Sequence, residues 1–261
     1  MTDPTSSDLV AETPFVWRAA RPGARTRLIC FPHAGAGAGA YADWAALLPP
    51  DVELLAVQLP GRQNRIAEPA FTEVRPLVAV LAQALRPFLR PPFAFFGHCG
   101  GAVLAHELAL ALRERGLPEP EHLVLSGQPA PGVPTAAPPL HGLPDAEFTA
   151  ALVELGGIEP ALAADADVMG ALLPTLRADF TLWERHTPTG AAPLALPITA
   201  LAGRDDPRTP ADSVEAWRGR TTARFRSRFL PGGHFYLLDD PAALTALLGD
   251  LLTTQPAGSP R

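Results

Sequence analysis

A thiol, a carboxylate and an imidazole together can transfer acyl groups, and this chain places one of each where the backbone must turn. They are Cys99, Asp206 and His234. Cys99 stands in Gly97-His98-Cys99-Gly100-Gly101, after the apolar run Phe93-Ala94-Phe95-Phe96 and before the helix-period run Ala102 to Ala109. Such a pattern describes a strand that reverses sharply into a helix, with the nucleophile held at the tip in a strained conformation. Glycines two before and two after remove the Cβ atoms that would collide across the turn. The free N–H groups and positive dipole end of the helix then face the sulfur and favour its anionic form. A buried structural cysteine in a tight turn is the bland alternative.

A cysteine nucleophile needs a base, and the base needs an acid to orient it. His234 lies in Phe229-Leu230-Pro231-Gly232-Gly233-His234-Phe235, a glycine-rich loop after a strand that can reach back over the turn. The acid comes from Gly203-Arg204-Asp205-Asp206-Pro207. Asp206 fits the position better, with Asp205 kept as the alternative. The order nucleophile, acid, histidine is that of an α/β-hydrolase. A third loop, Phe31-Pro32-His33-Ala34-Gly35-Ala36-Gly37-Ala38-Gly39, is made of small residues whose N–H groups can converge on an oxyanion. The donors would be the N–H of Gly100 and one from His33 or Ala34. The loop matches neither G-x-G-x-x-G at a helix start nor G-K-[ST], which argues against a nucleotide. His98 is expected to pack behind the turn and His106 to be half-buried on a helix. His122, His141 and His186 read as surface or lid positions.

These residues need strands and helices to hold them, and the chain supplies both in alternation. Short apolar runs occur at 27–31, 53–58, 93–97, 121–126, 196–202 and 224–230, with helical periodicity at about 41–48, 72–89, 101–115, 210–218 and 241–252. Alternation of this kind implies an α/β fold, a mostly parallel sheet with helices on both faces and the site beyond the carboxyl ends of the strands. Residues 128–190 break the rhythm with a proline-rich entry and two or three helical segments, which reads as a lid inserted over the site. The expectation is a single domain over 14–252, with disordered tails at 1–13 and 253–261.

Composition agrees with an enzyme of this size. The 261 residues are 47% hydrophobic, and a net charge of −6 argues against nucleic acid or an anionic membrane as partner. Every basic side chain is arginine. Two cysteines, Cys30 and Cys99, are too few for a disulfide framework, and Cys30 lies in an apolar strand as a core residue. With no signal peptide or membrane-spanning run, a reducing cytoplasm is expected. No ligand-spaced pair of histidines or cysteines suggests a metal.

Taken together, the ordered motifs resemble the type II thioesterases, free-standing editing hydrolases that accompany nonribosomal peptide and polyketide synthases. The motifs are Phe31-Pro32-His33-Ala34-Gly35, Val57-Gln58-Leu59-Pro60-Gly61-Arg62, the Cys99 turn, Leu176-Arg177-Ala178-Asp179-Phe180, Gly203-Arg204-Asp205-Asp206-Pro207 and Pro231-Gly232-Gly233-His234-Phe235, spread over residues 15–250. The resemblance implies Cys99 as nucleophile, His234 as base, Asp206 as its orienter and the 128–190 block as the lid; of the two candidate loop donors, Ala34 is taken with Gly100 as the oxyanion pair. It implies a monomer that needs no bound cofactor, because the substrate arrives on the phosphopantetheine arm of an acyl or peptidyl carrier protein. Two departures stand out: cysteine replaces the family's serine, and Gly100 replaces the methionine or leucine common after it.

A cysteine acyl-enzyme is itself a thioester, so passing the group to a second thiol is nearly isoenergetic. Release to water is the expected outcome; transfer to another carrier or an amine is the alternative, and a non-catalytic binding protein on a hydrolase scaffold is the second alternative. Acidic carriers would dock on local basic residues, for which Arg62, Arg65, Arg177 and Arg185 are candidates. The acyl chamber would be lined by Met169, Leu172, Leu173, Leu176, Phe180 and Trp183, a stripe equally consistent with lid packing. His33, Met169 and Phe180 are the candidate substrate contacts.

Overall fold

A computed structural model of the chain describes residues 8–90, 92–133 and 138–253. Among them eight strands form one sheet: β1 (Val10–Thr13), β2 (Val16–Ala19), β3 (Thr26–Phe31), β4 (Val52–Val57), β5 (Phe93–His98), β6 (His122–Ser126), β7 (Ile198–Gly203) and β8 (Phe225–Leu230). The helices of the described residues are α1 (Trp44–Leu47), α2 (Val74–Ala84), α3 (Gly100–Glu114), α4 (Asp145–Glu154), α5 (Pro160–Ala163), α6 (Ala166–Glu184), α7 (Ala211–Glu215), α8 (Tyr236–Asp239) and α9 (Pro241–Thr253).

Strand order across the sheet is β1-β2-β4-β3-β5-β6-β7-β8. From β4 to β8 every pairing is parallel, and the β1–β2 hairpin adds two antiparallel strands at one edge. The chain moves outward from β3 to β4 and then returns to the other side of β3 for β5. That reversal opens a crevice at the carboxyl ends of β3 and β5, the place where open α/β sheets bind ligands.

Alternate side chains explain why helices cover both faces. Ile29 and Phe31 of β3 pack with Leu77 and Leu81 of α2 and Leu108 of α3, whereas Leu28 and Cys30 pack with Trp44 of α1 and Leu248 of α9. Strands buried on both faces read as unbroken apolar runs, which is why β3 to β7 were visible in the sequence. β1 and β2 were not. β1 is largely exposed and only four residues long, so the expected tail over 1–13 is a strand from Val10 onward, while residues 1–7 lie outside the described residues. Thr253 likewise closes α9, and the remainder of the expected tail, 254–261, lies outside the described residues.

Between β6 and β7 the chain leaves the sheet to form α4, α5 and α6. Within this 128–190 segment, 134–137 lie outside the described residues. The three helices have their own apolar cluster, in which Phe148 and Leu152 of α4 meet Met169, Leu176 and Phe180 of α6. A buried ion pair fastens α6 to the sheet domain: Asp179 accepts from both terminal guanidinium nitrogens of Arg62, at 2.5 and 2.8 Å, and also from the N–H of Gly35 at 2.8 Å.

Candidate active site

Cys99 occupies the turn between β5 and α3 with φ 54°, a left-handed conformation rarely adopted by a residue that carries a Cβ. The strain is held by packing on both sides. A Cβ on Gly97 would stand 2.1 Å from the carbonyl oxygen of Gly101, so only glycine lets strand and helix approach this closely. Cys99 N–H is bonded to Ser126 O of β6 at 2.9 Å, which fixes the tip against the neighbouring strand.

His234, on the loop after β8, bonds through Nδ1 to Asp206 Oδ2 at 2.7 Å. Asp206 follows β7 and is itself held, its Oδ2 accepting the Thr209 hydroxyl at 2.6 Å and its Oδ1 the Arg208 N–H at 2.9 Å. Asp205, the alternative, is exposed. All three members of the constellation are buried: Cys99 and Asp206 are 6% exposed and His234 is 4% exposed.

The electrostatics follow from this arrangement. Burial alone lowers the His234 imidazole, but the hydrogen bonds and charges of Asp206 and Cys99 outweigh it and raise the group to about 9. Burial works against ionisation of Asp206 too, yet its bonds from His234, Thr209 and Arg208 keep it below the usual carboxylate value. With Nδ1 engaged by Asp206, Nε2 is the ring nitrogen left to face the sulfur.

Two further histidines crowd the pair. His98 lies with its ring 5.0 Å from that of His234, and its Nδ1 is 2.8 Å from the hydroxyl of Ser126. Burial, then the neighbouring His234 and His33, hold His98 well below its ordinary value and so neutral. His33 is lowered to about 4 by burial, His234 and Arg62. It packs edge-on to Phe235, and its Nδ1 is buried without a hydrogen-bond partner.

A cavity of about 330 Å³ opens on the sulfur, lined by Cys99, His234, Val103, Ala130, Trp183 and Arg208 among others. A second, of about 560 Å³, lies on the far side of His234, which together with Arg208 belongs to both walls. From the α6 stripe only Trp183 reaches the first cavity. Met169 and Phe180, expected as substrate contacts, are buried in the cluster that α6 shares with α4. Gln128, Glu184, His186 and Arg208 also line the cavity and were not foreseen. Arg208 had a local signal, because it follows Asp206 by two residues.

Several polar residues lie deeper than expected. Arg62 and Arg65 are buried struts rather than docking cations, since Arg62 pairs with Asp179 and Arg65 with Glu68 while stacking on Phe15. Arg177 reaches Asp145 and the carbonyls of His141 and Leu143, which leaves Arg185 as the exposed candidate. His122 is buried on β6 and lies 2.8 Å from the Thr199 hydroxyl. His106, Glu107 and His186 form a buried group, Glu107 standing 3.5 and 3.3 Å from the two rings. Burial pushes Glu107 up, but the two histidines prevail and bring it down to about 2.

A mostly parallel sheet flanked by helices, with the strained Cys99 turn at its centre and an Asp–His pair from later strands, defines an α/β-hydrolase. The chain belongs to the thioesterase family within that fold and is a thioester hydrolase: the thioesterase-domain family profile matches residues 26–253. It is 39% identical to the gramicidin S biosynthesis protein GrsT of Aneurinibacillus migulanus over 216 residues, 83% of this chain and 84% of that protein. Among solved structures it resembles the RedJ thioesterase of the prodiginine biosynthetic pathway in Streptomyces coelicolor (TM-score 0.82, 39% identity, 88% of this chain and 87% of that one). It is also similar to the type II thioesterase BorB from the borrelidin biosynthetic cluster (TM-score 0.85, 35% identity, 93% and 99% covered).

Proposed function

We propose that this enzyme releases acyl or aminoacyl groups from carrier-protein thioesters in natural-product biosynthesis, through an acyl-enzyme on Cys99. The observation that carries the reading is the buried Asp206–His234 pair beside Cys99 at the wall of one cavity. Relatives named for gramicidin, prodiginine and borrelidin biosynthesis support the setting.

The Cys99 sulfur attacks the thioester carbonyl carbon, and the oxyanion forms against the N–H groups of Gly100 and Ala34. The carbon–sulfur bond to the arm breaks, and the proton held by His234 goes to the leaving thiolate. Water then enters, His234 takes its proton, and the acid departs as the Cys99 sulfur is freed. Asp206 keeps the ring oriented and supports its charge throughout. The helical segment over 128–190 acts as the lid, and the arm arrives with the substrate. The site works in the cytoplasm on a carrier-bound group.

Transfer to a second thiol is the competing reading, and the cysteine itself favours it, because thioester-to-thioester exchange is close to isoenergetic. One measurement separates the two. A carrier bearing a labelled acyl or aminoacyl group is mixed with enzyme and an excess of empty second carrier. Hydrolysis predicts label as free acid in both the presence and absence of the second carrier. Label accumulating on the second carrier would overturn it.

A further inference from the structure

We infer that Trp183, seated on Gly100, is the partition that limits acyl-group size at Cys99, restricting the site to compact acyl groups. The inference rests on Cys99 being the acylated atom. A Cβ at position 100 would lie 2.1 Å from Cε3 and 2.2 Å from Cζ3 of the indole, so the ring lies on the backbone more closely than any other residue type at 100 would permit. Gly100 is the residue directly after the sulfur and the first of α3, and Trp183 comes from α6. The helical segment over the sheet therefore supplies a wall of the reacting centre.

The indole also packs against the apolar cluster of the helical segment. The Phe180 ring packs 4.9 Å from the indole and leads into the cluster of Phe148, Met169 and Leu176. Trp183 lines the cavity at the sulfur, whereas Phe180 and Met169 do not. The chemistry fixes which way the acyl group points. The departing thiol must take its proton from His234, so the arm lies on the His234 and Arg208 side. The acyl chain then takes the remainder of the cavity, whose lining includes Val103, Ala130 and the indole. At about 330 Å³ this cavity is at the small end for ligand sites, and it also holds the end of the arm.

Acyl-pantetheine thioesters from acetyl to decanoyl supply the test, with the Cys99 adduct measured by intact mass and free acid measured in the same quenched samples. Wild type is expected to acylate with acetyl and butyryl groups well before octanoyl. Trp183→Leu, and the larger truncation Trp183→Ala, should raise the octanoyl-to-butyryl rate ratio by about tenfold or more. Gly100→Ala should displace the indole and slow acylation by about tenfold, and adding Trp183→Leu should recover most of that loss. Iodoacetamide alkylation of Cys99 in each variant checks that the fold and the reactive pair survive. Equal loss at every chain length, a wild type that accepts octanoyl as readily as butyryl, or additive effects of the two substitutions would each overturn the partition. In those cases continued release of free acid leaves the thioesterase reading standing. No adduct on Cys99 with any thioester would instead refute the nucleophile assignment, and the partition with it.

Discussion

Asp206 and Asp205 are adjacent in the chain and opposite in environment, and the difference is made by what each carboxylate touches. Asp206 accepts from His234, Thr209 and the Arg208 N–H, while Asp205 is exposed. Asp206→Asn should lower kcat by about two to four orders of magnitude, because the amide cannot support a charged imidazole. Asp205→Asn should stay within about twofold, and steady-state hydrolysis of an acyl-pantetheine distinguishes the two. Titration gives an independent check. Folded His234 is raised from the ordinary 6.5 to about 9, so its contribution to stability is complete below about 6.5 and is lost as pH rises through about 9. The Tm advantage of wild type over Asp206→Asn should therefore shrink as melts are run from neutral pH to beyond 9. An advantage independent of pH over that range would contradict the ion pair. Much of this site was legible beforehand because its signals are local: Cys99, Asp206 and His234 each sit among glycine or proline at a strand end. The orphaned Nδ1 of His33 and the neutral state of His98 were not, since both depend on neighbours brought from distant strands.

At the scale of elements, α6 does more than cover the cavity. Asp179 grips Arg62 and the N–H of Gly35 together, so one helix position steadies the loop that carries Ala34. Removing one partner of a buried pair leaves the other charge without compensation, and Asp179→Ala should cost about 3–5 kcal/mol by denaturant unfolding. The same variant should slow acylation of Cys99 by a thioester more than alkylation by iodoacetamide, because only the former develops an oxyanion. A proportional loss in both rates would show that Asp179 supports the fold without aligning the loop. The sequence placed Arg62 on the surface because arginine is ordinarily exposed, and its partner lies 117 residues away. His122 was misread for the same reason: it is buried on β6, and the Thr199 hydroxyl beside it belongs to β7. The helical segment itself was visible as a break in the strand–helix rhythm, but the stripe from Met169 to Trp183 could not reveal which member faces the sulfur. Periodicity marks a buried face without saying what covers it.

The whole molecule carries a net charge of −6, so an acidic carrier, if it is the substrate-bearing partner proposed above, would approach against that field. Raising ionic strength from about 0.01 M to 0.15 M shortens the screening distance from roughly 30 to 8 Å. The predicted result is a higher kcat/KM on a carrier-bound thioester and little change on the same acyl group carried by free pantetheine. A fall with salt on the carrier would show that a local basic patch around Arg185 dominates the encounter. Among the described residues no helix is long and apolar enough to cross a membrane.

The backbone at Cys99 has a consequence for descent as well as for mechanism. Its φ of 54° lies between Gly97 and Gly101, whose close approaches no Cβ would permit, and Cys99 makes no side-chain cap hydrogen bond to the helix it precedes. Serine and cysteine differ there by one atom, and a single base change in a codon interconverts them. On the acyl-enzyme proposed above, a lineage could therefore exchange an oxygen ester for a thioester intermediate without rebuilding the scaffold. Selection on what leaves the enzyme, rather than on whether it folds, then decides which of the two persists.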